Sequence, residues 1–326
     1  MKNKKWKSLV VGSIASALLL AGCGNSGGDE DTYKVGVTQI VEHPALDAAV
    51  DGFQKALEDK GLKVEYDVQI AQGDPNNNQS IATNFVGDNV DLIFANSTPS
   101  ALSALNATSE IPIVFTSVTD PVGAALVEAM DKPGPNITGT TDTHPDAIPN
   151  TVKFITDNFP EAKKLGMVYN SGEQNSVAQV ELVEKALEGT GITTELVSVS
   201  TSAEVKQATE SLIGKADVFY IITDNTVVSA LESVIQVAND EDIPLFVGEL
   251  DSVARGGFAA YGFDYFDIGY EAGEMAAQIL LGEKEATELP VQYPQNLKLQ
   301  INKQAAEEMG ITLKSEWDDI AEYVNE

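Results

Sequence analysis

The sequence predicts an α/β protein: two similar doubly wound, parallel-sheet (Rossmann-like) domains joined by a three-strand hinge, with a ligand cleft between them. Three observations lead there. From Tyr33 onward, apolar runs of strand length alternate with amphipathic helical patterns. The order of those elements then repeats about 130 residues later. Finally, the stretch after Gly257 holds enough further strand and helix to cross between two units more than once.

Taken in order, Tyr33–Ile40 (YKVGVTQI) reads as a strand. Leu46–Asp59 reads as a helix, because Leu46, Ala49, Val50, Phe53 and Leu57 fall on one face. Leu62–Gln69 is the next strand, Asn78–Val86 a short helix, Leu92–Ala95 a strand, Ser100–Asn106 a helix and Ile113–Thr116 a strand. Alternation at these lengths implies parallel strands joined by helical crossovers on both faces of a sheet. Val35-Gly36-Val37 has its echo in Leu165-Gly166-Met167, and Gly61-Leu62 in Gly191-Ile192. Asp91–Leu102 resembles Asp217–Leu231, and Ile111-Pro112 returns as Ile243-Pro244. Similar α/β units bind ligands at the carboxyl ends of their strands, and two that face each other across a hinge form a cleft. Gly139–Thr143 is expected to make the first crossing. Phe258–Phe263 reads as a strand, Tyr265–Leu281 as a long helix with Gly269 and Gly273 as small packing residues, and Val291–Asn302 as a strand region broken by Pro294. The expected division is a first lobe of residues 33–139 plus 256–288 and a second lobe of 140–255 plus 289–326.

The chain has 326 residues and a net charge of −30, from 20 basic and 50 acidic residues. A surface this acidic repels nucleic acid and anionic headgroups, so no nucleic-acid partner is expected. Four lysines precede the apolar run Leu9–Leu20, which ends in Leu20-Ala21-Gly22-Cys23. A basic start, a short apolar stretch and small residues before a cut describe a secretory signal over residues 1–22. The single cysteine directly after it resembles the lipid-bearing position of bacterial lipoproteins. The mature chain is then expected to begin at Cys23, anchored by lipid to the outer face of the cytoplasmic membrane, with residues 23–32 as a flexible tether. The acidity and short tether suggest a Gram-positive source. One cysteine allows no internal disulfide.

No Walker A loop, dinucleotide fingerprint or nucleophile elbow is present, and His43 and His144 lack metal-ligand spacing. No enzyme activity, catalytic residue, cofactor or metal is therefore expected. Polar residues do follow the strands where a cleft should lie. Asn96, Ser97 and Thr98 come after Leu92–Ala95, with Pro99 at a helix start; Ser117 and Thr119, with Asp120, come after Ile113–Thr116. Hydroxyls and free N–H groups at a helix start can hold a carboxylate, although plain capping by Ser97, Thr98 or Asp120 uses the same residues. The second unit offers acids: Asp224 with Asn225 after Val218–Ile222, and Glu249 with Asp251 after Leu245–Val247. Either acid can pair with a ligand ammonium. The rim loop Gln39–Pro44 supplies Gln39, Glu42 and His43, and its counterpart supplies Glu173, Asn175 and Ser176. Tyr169, Tyr261, Phe263 and Tyr265 are available as rings, and no tryptophan falls near the cleft.

The cysteine motif, the two units, the crossings and the ending Leu297–Ile311 resemble the substrate-binding lipoproteins of ABC importers, of type 1 periplasmic binding protein architecture. Val35–Asp47 (VGVTQIVEHPALD), Phe94–Val122 and Pro135–Asp142 (PNITGTTD) resemble the branch that binds tryptophan or tyrosine. The resemblance implies a monomer that captures an amino acid, most readily an aromatic one, without chemistry, and delivers it to a permease driven by a separate ATPase. It also implies that hydroxyls of the first unit, here Ser97 and Thr119, take the ligand carboxylate, and that Glu249 or Asp224 takes the amine. Two other readings use the same module: a ligand-sensing receptor for a signalling partner, and a binding protein for another small polar solute such as a sugar or an aliphatic amino acid.

Overall fold

The computed structural model describes residues 32–325; Cys23, the signal segment and all but the end of the tether lie outside the described residues. The first lobe runs β1 (Tyr33–Gln39), α1 (Pro44–Asp59), β2 (Val64–Ile70), α2 (Pro75–Gly87), β3 (Leu92–Asn96), α3 (Thr98–Ala107), β4 (Ile113–Val118) and β5 (Ile137–Thr141). The second begins α4 (Ala147–Asn158), β6 (Lys164–Tyr169), α5 (Gln174–Leu187), β7 (Thr193–Ser198), α6 (Val205–Glu210), β8 (Val218–Ile221), α7 (Asn225–Val228) and α8 (Leu231–Asp240). It continues β9 (Leu245–Val247), α9 (Leu250–Arg255) and β10 (Ala259–Gly262). Then come α10 (Tyr265–Leu280), β11 (Lys298–Asn302), α11 (Lys303–Glu308) and β12 (Ala321–Val324).

The first sheet has the order β2-β1-β3-β4-β5 and is parallel throughout. The second has the order β12-β11-β10-β9-β8-β6-β7, so the run β7-β6-β8-β9-β10 repeats the first sheet strand for strand. The internal repeat is therefore real at the level of topology. It also moves one boundary. Residues 259–262, expected in the first lobe, form β10, the counterpart of β5, and pair with β9 and β11. The chain returns to the first lobe only after Gly262, where α10 packs on α1. β11 runs antiparallel to β10, so the second sheet is mixed at that edge.

β3 and β4 are wholly buried, as strands covered on both faces must be. Phe94 of β3 stacks on Phe53 of α1 with centroids 3.9 Å apart. Ile93 and Phe115 point the other way, into a cluster with Ile81 and Phe85 of α2. The second lobe has its own core, in which Trp317, buried near the C-terminus, tilts against Phe154 at 5.3 Å and donates from Nε1 to Asn158.

Three connections join the lobes. The first follows β5, and the second is the short passage from β10 to α10. The third leaves Gln292, which bridges to Thr140 beside β5, and enters β11 past Pro294. The break foreseen at Pro294 thus separates a short first-lobe contact from the second-lobe strand.

Candidate functional site

The carboxyl ends of both sheets face one narrow cavity. The first lobe contributes His43 and Leu46 from the start of α1, Ser117 and Thr119 from the end of β4, Asp142 from the first crossing and Tyr265 from the start of α10. The second contributes Asn175 of α5, Thr223 and Asn225 beside α7, Val228, and Glu249 at the start of α9.

Four of these residues bury a polar atom that has no protein partner: His43 Nδ1, Ser117 Oγ, Asp142 Oδ1 and Asn175 Oδ1. Buried polar groups are nearly always hydrogen-bonded, so orphans converging on one cavity mark a place where something else binds. The backbone at Ser117 adds to this, with φ at +54°, a region that costs a non-glycine residue about 1–3 kcal/mol and clusters at functional sites. Ser97 shares the feature, with φ at +114°.

The cavity is acidic. Neither lysine nor arginine lines it. Burial raises Asp142 to about 6 and Glu249 to about 7. Tyr265, itself pushed well above the ordinary tyrosine range by burial, stays protonated and donates to Asp142 Oδ2 at 2.9 Å. The His43 imidazole is driven down to about 3, chiefly by burial and further by the charge of Arg255, so it is neutral. Arg255, the single arginine, stays behind the wall, bonding Glu232 and the Val228 carbonyl.

The residues singled out from the sequence separate into two groups. Ser117, Thr119, Asn175, Asn225 and Glu249 line the cavity, as do His43 of the rim loop and Tyr265. The others build its frame. Ser97 caps α3 through the Ser100 N–H. Thr98 accepts from the Thr119 N–H, and Asn96 donates to Gln39 and to the Leu46 carbonyl. Gln39 in turn donates to Asp47 at 2.8 Å. Asp120 accepts from Gly123 N–H in a turn. Glu42 is exposed. Glu173 accepts from Asn225 and Thr226, which aims Asn225. Asp224 caps α7, one oxygen accepting from Val227 and the other from Asn170. Burial and the nearby Glu173 raise it to about 6. Glu249 caps α9, with both oxygens on Ser252. Among the buried acids of the described residues, only Asp142 has an oxygen without a hydrogen-bond partner, with the Thr119 hydroxyl also beside its carboxylate; it is not among the residues singled out from the sequence. Its signal was available: it ends PNITGTTD and follows a strand, but that stretch reads as a crossing.

The lobes touch across the cleft. Gln179 of α5 donates to Thr119 of the first lobe at 3.3 Å and to Thr223 of its own lobe at 2.6 Å.

Two repeated parallel-sheet lobes, three connecting strands and a cavity of unmatched polar groups define a hinged solute-binding receptor of the type 1 periplasmic binding protein fold. Residues 34–324 match the family of ABC transporter substrate binding proteins, and the chain belongs to it. It is 42% identical over 318 residues, 93% of this chain and 91% of the relative, to the tyrosine-binding protein of Clostridioides difficile. An ABC domain from Streptococcus pneumoniae in complex with L-Trp superposes with a TM-score of 0.85 at 31% identity, covering 90% of this chain and 99% of that one. The ligand-free, open structure of a substrate binding protein with adhesive properties from Clostridium difficile gives 0.67 at 39% identity, with the same coverage. This chain thus superposes better on the L-Trp complex than on the ligand-free, open structure.

Proposed function

We propose that this protein captures an aromatic amino acid, tyrosine foremost, in the interlobe cavity and delivers it to an ABC permease. The free oxygen of Asp142 carries the reading. A buried carboxylate held on one side by Tyr265 and open on the other seeks a cation, and an α-ammonium supplies it through a charge-assisted bond. This moves the amine partner from Glu249 or Asp224 to Asp142, because the other two already have both oxygens engaged.

The ligand carboxylate faces the backbone N–H groups at the start of α5, a fourteen-residue helix with no side-chain cap. The ring lies against Leu46 and Val228. Neutral His43 and the Ser117 hydroxyl are left for a polar ring tip, a phenol O–H or an indole N–H. The tyrosine-binding relative and the L-Trp complex support the same ligand class. The signal and Cys23 support a lipid anchor that keeps a receptor without chemistry near its permease.

Thermal-shift titration tests the ligand class. L-tyrosine, L-tryptophan and L-phenylalanine should each raise the melting temperature in proportion to concentration over Kd. A response to a sugar or to leucine with none to the aromatic three contradicts the reading. Replacing Cys23 by Ser should release the protein from cells into the medium with ligand affinity unchanged; retention at the membrane contradicts the anchor.

A further inference from the structure

A second compartment of the cleft, on the side away from the crossings and open to solvent, is lined by both lobes. It shares Asn175 and Asn225 with the ligand cavity, so the two are neighbours through the α5 start. Its lining carries its own unmatched groups. Asn78, wholly buried, accepts from Thr38 and Ser100 at its carbonyl, yet its amide Nδ2 has no partner. Across from it, Gln174 Oε1 and Asn175 Oδ1 are buried acceptors without donors. A donor on one lobe and acceptors on the other match the C=O and N–H of a peptide unit.

We propose that this compartment receives a residue attached through the ligand's carboxyl group, so that the protein binds dipeptides with an N-terminal aromatic residue. The inference rests on the orientation given above, with the ammonium on Asp142 and the carboxyl at the start of α5. In that orientation the carboxyl end points toward the second compartment, through the shared Asn175 and Asn225, and the ammonium stays on Asp142 at the first crossing. Direction follows from charge: Tyr-Gly keeps the α-ammonium of its aromatic residue on Asp142 and extends into the compartment, whereas Gly-Tyr presents an uncharged amide N–H there.

Calorimetric titration of the chain from residue 32 with tyrosine, Tyr-Gly and Gly-Tyr tests this. Tyr-Gly should bind within about tenfold of tyrosine, the loss reflecting the removed carboxylate at the helix start, and Gly-Tyr at least about a hundredfold more weakly. Gln174→Ala should weaken Tyr-Gly by about fivefold, one neutral hydrogen bond, and leave tyrosine unchanged. Gln174 is half-exposed and outside both cores, so this variant should fold. Tyrosine binding with no Tyr-Gly binding overturns the second compartment alone. Equal binding of Tyr-Gly and Gly-Tyr overturns the direction and with it this proposal. Failure of tyrosine and both dipeptides overturns the aromatic-ligand reading as well.

Discussion

At the scale of residues, the site is a balance of buried charge. Asp142 and Glu249 are raised to about 6 and about 7 by burial, whereas an unfolded carboxyl titrates near ~4. Between those values the empty fold holds more protons than the unfolded chain. Stability from these groups is therefore fully present below about pH 4 and is lost as pH rises through 6 and 7. The ligand inverts the requirement, since an ammonium needs the carboxylate. The empty protein should gain melting temperature as pH falls from 8 to 5.5, while tyrosine affinity should fall over the same range. Asp142→Asn should weaken tyrosine about a hundredfold at pH 8, the scale of a buried charged hydrogen bond, and flatten the pH dependence of what remains. Affinity that rises on acidification, or an Asn variant that binds as wild type, contradicts this. The sequence made the hydroxyls and amides legible, because polar residues after buried strands have few other reasons to be there. It did not separate a capping acid from a binding acid. Asp224, Glu249 and Asp142 all follow strands, and only the local partners distinguish them: a nearby helix start occupies the first two, and Tyr265 occupies just one oxygen of the third.

At the scale of elements, the first lobe depends on how closely α1 and α10 approach. A Cβ on Gly269 would meet the Ala49 carbonyl oxygen at 2.0 Å, and one on Gly52 would meet the Phe266 carbonyl oxygen at 2.1 Å. The helices therefore touch backbone to backbone, each through a glycine of its own. Tyr265 and His43, one at the head of each helix, reach the cavity from this contact. Gly269→Ala should cost about 1–3 kcal/mol in urea unfolding, as overpacking does, whereas Gly87→Ala, at the end of α2 with open space around it and no left-handed backbone, should cost nothing or stabilise slightly. Equal losses at the two positions would contradict the close-approach account. The small residues of α10 were visible in its sequence pattern, and so was its length. Its partner was not, because α10 meets α1 across more than two hundred residues of chain. Strand ends were legible to within two residues wherever an apolar run stopped. β10 was assigned to the wrong lobe because a four-residue strand before a long helix fits either sheet; only the repeated strand order resolves it.

At the scale of the molecule, the proposed ligand site and the hinge are one structure. Asp142 lies on the first crossing and Tyr265 just after the second, and their hydrogen bond ties the two together beside the cavity. Charge placed on Asp142 thus acts where the lobes rotate. Gln179 and Thr119 meet across the cleft in a structure that superposes better on the L-Trp complex than on the ligand-free, open structure. A ligand that bridges both lobes shifts the population toward closure by its differential affinity for that state. The most direct test of the account is a calorimetric comparison of L-tyrosine with 3-(4-hydroxyphenyl)propionate, which keeps the ring, the phenol and the carboxylate and lacks only the amine. Tyrosine should bind about a hundredfold more tightly at pH 8, because the analogue leaves the Asp142 carboxylate buried and unpaired. Equal affinity for the two, or no binding of tyrosine, would contradict it.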